Sequence, residues 1–253
     1  MPSHYLAKLT SPKRTARANL HLGAALACVA GALNAGGFFA VGQYTSHMTG
    51  MVSMAADDIV LGRLMPAFAA LLLVTAFVAG AASTALIVNY ARRNHFRYIY
   101  TPVLLLEGGL LLIFGLVGTA LLRHEFITVS FTALLLCYVM GLQNALITKI
   151  SDAEIRTTHV TGLVTDLGIE IGKLIYWNRH TAPGHDTEVD ANWEKLRVHI
   201  ALICSFFGGA LMGALGFKYI GFISTLPLTI ALIVLAIAPR FSDRPISNKV
   251  HSP

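Results

Sequence analysis

The sequence predicts an all-α polytopic membrane protein of two homologous halves, with six transmembrane helices and two short re-entrant or interfacial half-helices arranged as a 3+3 inverted repeat. Three observations lead there: apolar stretches long enough to cross a bilayer, a polar hexapeptide written twice, and basic residues that collect on one side of the expected path. Of 253 residues, 55% are hydrophobic and 13% charged, against about 25% charged in ordinary globular domains. A net charge of +6 is what positively charged cytoplasmic loops produce, so no nucleic-acid partner is inferred from it.

Residues 1–19 form a basic cytoplasmic tail with Lys8, Lys13, Arg14 and Arg17. No convincing small-residue cleavage site follows, so the first span is read as uncleaved. A single membrane domain fills 20–240, and a polar cytoplasmic tail covers 241–253. Apolar runs of about 20 residues, the length a bilayer core requires, begin near Leu20, Met65, Thr101, Phe126, Val198 and Tyr219. Two further segments are too short or too polar to be ordinary spans. Residues 49–61 would make a helix of about 20 Å, short of the roughly 30 Å core, and they carry Asp57 and Asp58. Residues 161–176 place Asp166, Glu170 and Lys173 on one stripe with His159 and Gly162. If neither segment crosses, only Arg63, Arg123 and Lys218 of the 19 basic residues lie outside. If both cross, the stretch ARRNHFR at 91–97 moves outside, against the positive-inside rule. The polar stretch 178–197 reads as a solvated cytoplasmic connection.

TSHMTG at 45–50 returns as TTHVTG at 157–162. GALNA at 31–35 and GLQNA at 141–145 precede the two copies, and FVAGAASTAL at 77–86 is matched by FFGGALMGAL at 206–215. Pro102 and Pro227 then open the last span of each half, giving repeats of about 20–122 and 126–239. Three crossings per half is an odd number, so the second half enters inverted. Inverted repeats with interrupted helices at matched positions mark the binding site in many secondary transporters. The small-residue spacings Gly209-x-x-x-Gly213 and Gly80-x-x-x-Thr84 are expected to pack helices rather than bind a ligand.

The candidate binding residues follow from the repeat: Asn34, Thr45, Ser46, His47, Thr49 and Gly50 in the first half, and Asn144, Thr157, Thr158, His159, Thr161 and Gly162 in the second. Thr45, Ser46, Thr157 and Thr158 are candidate helix N-caps, and the glycines allow close approach. A helix N-terminus favours an anion or a carbonyl oxygen, and imidazoles titrate near neutral pH. The alternative is a turn that only satisfies its own backbone. Asn34 and Asn144 lie in apolar runs, where an unpaired amide is costly, so each either bonds the turn or lines a polar site. Asp58 and Glu170 fall at matched positions after the repeat glycines, and with Asp166 and Glu107 they are the candidates for proton or ion coupling. Glu107 stands alone inside LLLEGGLLL, and its repeat counterpart is apolar. Cys28, Cys137 and Cys204 sit singly in apolar runs, so neither a disulfide framework nor a zinc site is indicated. No cofactor, metal or catalytic residue is inferred.

The stretches GALNAGGFFAVGQYTSHMTG and GLQNALITKISDAEIRTTHVTGLVTDLGIEIGKLIYWNR resemble the YoaK family of bacterial inner-membrane proteins over about residues 20–240. Met51 departs from the Asn that often follows the first MTG in that family. The resemblance implies the bacterial cytoplasmic membrane and no substrate, since the family has no settled activity.

The expected function is a small secondary transporter or permease, not an enzyme, with both termini cytoplasmic and its site between the two hexapeptides. A small anion or zwitterion is favoured as substrate, with proton coupling. The alternative is a non-transporting integral membrane protein that binds a partner or acts as a sensor. The partners implied are the lipid bilayer and an unidentified small molecule, and a homo-oligomer is left open.

Overall fold

The structure, a computed structural model, describes residues 16–120, 125–150, 159–176 and 190–242, and every regular element among them is helical. In chain order these are α1 (Ala16–Val41), α2 (Met48–Val60), α3 (Leu64–Arg93), α4 (Thr101–Ala120), α5 (Glu125–Ile150), α6 (Val160–Ile175), α7 (Trp193–Tyr219), a 3-10 turn (Gly221–Ser224) and α8 (Thr225–Ser242). By length and composition, α1, α3, α5 and α7 can each cross a membrane, whereas the apolar stretches Thr101–Leu116 and Gly221–Ile237 are shorter. Exposed Leu71, Val78 and Leu86 on α3 and Phe207, Leu211 and Leu215 on α7 suit a membrane-embedded protein.

Two boundaries differ from the sequence expectation. The span placed near Val198 begins earlier, at Trp193, because Asn192 caps it with its side chain, accepting from the Lys195 amide at 3.0 Å. The one placed near Tyr219 begins later, at Thr225. Gly221 adopts φ +70, a conformation that ends α7 and that glycine takes without penalty.

Close approach of α1 to α7 and of α3 to α5 organises the bundle. A Cβ on Gly31 of α1 would meet the Phe206 carbonyl of α7, and one on Gly209 would meet the Cys28 carbonyl. The same reciprocal fit recurs between α3 and α5, with Gly80 against the Tyr138 carbonyl and Gly141 against the Phe77 carbonyl. In lipid there is little hydrophobic drive between helices, so such backbone contact supplies the van der Waals attraction. Thr84 Oγ1 adds a hydrogen bond to the Leu142 carbonyl at 2.9 Å.

Contacts also fix directions. Gly31 faces Phe206 and Gly36 faces the Phe217 ring, so α1 and α7 run parallel. Leu73 clusters with Ala133 and Cys137 while Thr84 bonds Leu142, so α3 and α5 run parallel. Gln143 Nε2 donates to the Leu26 carbonyl at 3.2 Å while Gly37 faces Leu136, which makes α1 and α5 antiparallel. Thr101 Oγ1 bonds the Ala236 carbonyl at 2.8 Å and Gly115 faces Thr225, which makes α4 and α8 antiparallel. It follows that α3 descends where α1 rises.

The two short helices lie along the starts of the long helices that follow them. Met48 and Met51 cluster with Leu73 and Phe77, and Asp58 pairs with Arg63, so α2 runs back along the first half of α3. Asp166 meets His199 at 3.9 Å and Glu170 meets Asn192, so α6 runs back along the first half of α7. Each therefore begins level with the middle of its long neighbour.

Candidate functional site

α1 ends at Val41, and the chain then folds back until Ser46 meets Asn34. Asn34 Oδ1 accepts from the Ser46 amide at 3.1 Å and from the Ser46 hydroxyl at 2.9 Å. This satisfies backbone and side-chain donors of a turn that has left regular helix. Beside it Thr45 is fully buried near Gly37, and its Oγ1 has no partner among the described residues. Tyr44 stacks on Phe38 with ring centroids 4.8 Å apart, on the exposed side of the turn.

α2 then starts, and its N-cap is His47, without any side-chain cap bond. The candidate hydroxyl caps are occupied otherwise: Ser46 is bound to Asn34, and Thr45 is turned into the core. The His47 imidazole is folded over Gly50, where a Cβ would collide with its Cδ2 and Nε2. Glycine at the third helical position therefore makes room for the ring. α6 repeats the arrangement. His159 is its N-cap, again with no side-chain bond, and its ring covers Gly162 through Nδ1 and Cε1. Both imidazoles are exposed, as are Thr49 and Thr161 in the first turns. Thr157 and Thr158 lie outside the described residues, as does most of the 178–197 connection. Asn144 Oδ1 is buried with no partner among the described residues.

The structure thus makes two similar helix starts, at His47 and His159, and it does not bring them to one point. Ser46 is level with Asn34 on α1. Asp166 opposite His199 puts His159 level with about residue 205 of α7, which the pairings of Gly31 with Phe206 and of Gly209 with Cys28 place level with about residue 27 of α1. The two helix starts are therefore separated by roughly 10 Å along the helix axes at 1.5 Å per residue.

The carboxylates divide by environment. Asp58 pairs with Arg63 at 2.7 Å, and Arg63 is the N-cap of α3. Glu170 accepts from Lys173 Nζ at 2.9 Å and from the amide of Asn192, the N-cap of α7, at 2.7 Å. In both halves the matched acid ties the end of the short helix to the start of the next long one. The bond from Lys173 foremost, then that from the Asn192 amide, holds the Glu170 carboxyl below the ordinary glutamate range. Asp166 is exposed and, among the described residues, meets His199 at 3.9 Å, whose Nδ1 is buried without a partner there. Glu107 is fully buried on α4, and neither oxygen has a partner among the described residues.

Sequence reasoning had not singled out Gln143 or Thr229, each buried with an unpartnered side-chain oxygen. Gln143 sits beside Asn144 in the GLQNA repeat element and was there to be read; a threonine in an apolar helix carries no comparable signal. Among the described residues, no group of three His, Cys, Asp or Glu side chains could hold a metal ion.

No curated protein and no solved structure matches the chain. One family model matches it over residues 22–238, nearly all of the helical region, and the chain belongs to that family, the proteins of unknown function DUF1275.

Proposed function

We propose that the protein is a small secondary transporter or permease of the bacterial cytoplasmic membrane, with six crossings in a 3+3 inverted repeat and both termini cytoplasmic. The observation that carries the reading is the pair of short helices, α2 and α6, which begin level with the middle of the long helices beside them, with no side-chain cap and with an exposed imidazole folded over the third helical residue. Uncapped amides and the positive end of the helix dipole attract a carboxylate or other small anion, so a small anion or zwitterion is the substrate class. The antiparallel relation of α1 to α5 and of α4 to α8 supports inversion of the halves. No step of the reading involves catalysis. Coupling to protons falls to Glu107, since Asp58 and Glu170 hold fixed partners at helix ends.

Topology comes first in the test. Single cysteines at Gln43, Arg63, Asn94 and Asp190 in a Cys-free background are labelled with an impermeant reagent from each side in turn. Asn94 and Asp190 should label from the cytoplasm only, and Gln43 and Arg63 from outside only. The purified protein in proteoliposomes is then exposed to a panel of small anions and zwitterions on a solid-supported membrane. At least one should drive a transient current that Gly50→Val abolishes. Reversed labelling sinks the inverted repeat, and silence across the panel sinks transport.

A further inference from the structure

In the repeat alignment that pairs Pro102 with Pro227, Glu107 pairs with Leu232. Leu232 Cβ lies 3.9 Å from the Cβ position of Gly108, so α4 crosses its own counterpart α8 beside Glu107. Tyr100, which immediately precedes α4 and whose carbonyl accepts from the Leu104 amide at 3.2 Å, is spaced by seven from Glu107, as Glu107 is from Phe114, so the three lie along one stripe. Both ends of that stripe meet α5: Tyr100 Oη donates to the Lys149 carbonyl at 3.3 Å, and Phe114 clusters with Leu136. Leu136 and Gln143 share a stripe of α5 with the same spacing, and the two helices run antiparallel. Glu107 therefore stands opposite Gln143. Gln143 is wholly inaccessible; its Nε2 donates to the Leu26 carbonyl and its Oε1 has no donor among the described residues. From α8, the methyl carbon Cγ2 of Thr229 comes within 3.8 Å of the Gly108 Cβ position, and the buried Oγ1 of the same side chain has no partner among the described residues.

Three helices thus carry fully buried oxygens with no partner among the described residues at one level of the bundle, among them both oxygens of a carboxylate. Burying an uncompensated carboxylate costs several kcal/mol even after relaxation, so a positive charge must accompany it. Among the described residues, the side chains facing Glu107 do not bring one. The facing residues of α5 (Leu136, Gln143, Ile150) and of α8 (Thr225, Thr229, Leu232, Ala236) include no titratable group. Tyr100 lies two turns away and Lys149 at the end of α5, while α3 carries Tyr90, Arg92 and Arg93 only at its exposed end.

We infer that Glu107, Gln143 and Thr229 form a buried site for one monovalent cation, a proton or Na+, at the crossing of α4 with α8. A proton taken from water converts Glu107 to the acid, whose hydroxyl then donates to Gln143 Oε1. Na+ instead takes the carboxylate, the amide oxygen and the hydroxyl as hard oxygen ligands. Either occupant neutralises one charge, and no covalent bond to carbon changes. The inference deepens the coupling role proposed for Glu107 and rests on that reading for its purpose, though not for its chemistry.

The test uses purified protein in detergent, with no substrate and no gradient, so its failure and the failure of transport are separate results. A hydrophobic carbodiimide reacts with a protonated buried carboxyl, and mass spectrometry of the 98–123 region reads the adduct at Glu107. If Na+ but not K+ slows labelling about tenfold, the occupant is Na+. If only raising the pH slows it by that factor, the occupant is a proton. Labelling indifferent to both, or absent from Glu107 throughout, overturns the site. Gln143→Leu (or Gln143→Asn where the leucine variant does not fold) and Thr229→Val should each shift the Na+ concentration or proton activity at half-labelling about threefold. Unchanged midpoints overturn the three-residue assignment. Glu107→Gln, the neutral isostere, should stay folded and unlabelled.

Discussion

Replacing Asn34 by Ala removes the one acceptor that holds the first turn back against α1. Two bonds end on Asn34 Oδ1, from the Ser46 amide at 3.1 Å and the Ser46 hydroxyl at 2.9 Å. A neutral hydrogen bond contributes about 1 kcal/mol net. Ser46 is only half-buried, so water can reach its donors once the turn loosens, and the full penalty of a dry orphan does not apply. The loss is then about 2 kcal/mol, which corresponds to a roughly thirtyfold rise in the open population of the turn. Hydrogen–deuterium exchange of the 43–50 region in the purified protein reads this directly, because its amides exchange through local opening. Ser46→Ala removes only the hydroxyl bond and should speed exchange about fivefold. The double variant should be little worse than Asn34→Ala alone, since both substitutions act on one interaction. Exchange in Asn34→Ala within twofold of wild type would refute the assignment of the turn to Asn34.

Helix packing makes the next test. Gly80→Ala and Gly209→Ala each force a Cβ against a facing carbonyl and should each lower unfolding stability by about 1–3 kcal/mol; a melting temperature unchanged in either variant contradicts the close approach. Gly168→Ala has the opposite sign, because a Cβ there meets nothing within 4 Å and the position is interior to α6. It should stabilise by roughly 0.5–1 kcal/mol through helix propensity, and a clear loss of stability would show that something covers that face. The last concerns pH. The Glu170 carboxyl is held below the ordinary glutamate range by Lys173 and the Asn192 amide, so it remains ionised in the folded protein where it would already protonate in the unfolded chain. Its contribution is fully present above the unfolded value of about 4.3 and is lost as pH falls through the lower folded one. Exchange of the Asn192 amide should rise in that acid window in wild type and show no such step in Glu170→Gln.

Much of the architecture was legible because the physics that writes it is periodic. Apolar runs of bilayer length located α1, α3 and α5 within a few residues, and Thr101 opened α4 as expected because Pro102 suits a first helical turn. The repeat marked both short helices, since a 13-residue segment with Asp57 and Asp58 cannot satisfy a hydrocarbon core. What escaped was set by competition between neighbours. Ser46 is a better cap than His47 by propensity, but Asn34 lies in reach on α1 and takes its hydroxyl. Only the folded chain shows that α1 is close enough for this. From spacing alone, Asp58 and Glu170 read as a matched acidic pair and as candidates for ion coupling. Their partners, Arg63 and Asn192, sit at different sequence distances because the second half carries a longer connection. The apposition of Glu107, Gln143 and Thr229 depends on helix pairing across the halves, which no local pattern encodes.

The choice of histidine at both caps is itself informative. Asn, Asp, Ser or Thr at that position would bond the second or third helical amide and stabilise the helix by about 1 kcal/mol over a residue that makes no cap. Both short helices instead begin with a histidine whose ring lies over a glycine and makes no cap bond. A helix start selected for stability alone would not decline that gain twice. The arrangement fits a helix end kept open for a ligand that supplies the missing acceptor when it binds. Stability and binding should therefore move in opposite directions in His47→Asn and His159→Asn. Each variant should raise the melting temperature in the absence of ligand and weaken the response to the anion or zwitterion that shifts the wild type. If the variants are no more stable, the first-turn amides are satisfied by other means. If they are more stable and bind as well as wild type, the half-helix N-termini are not where the ligand sits.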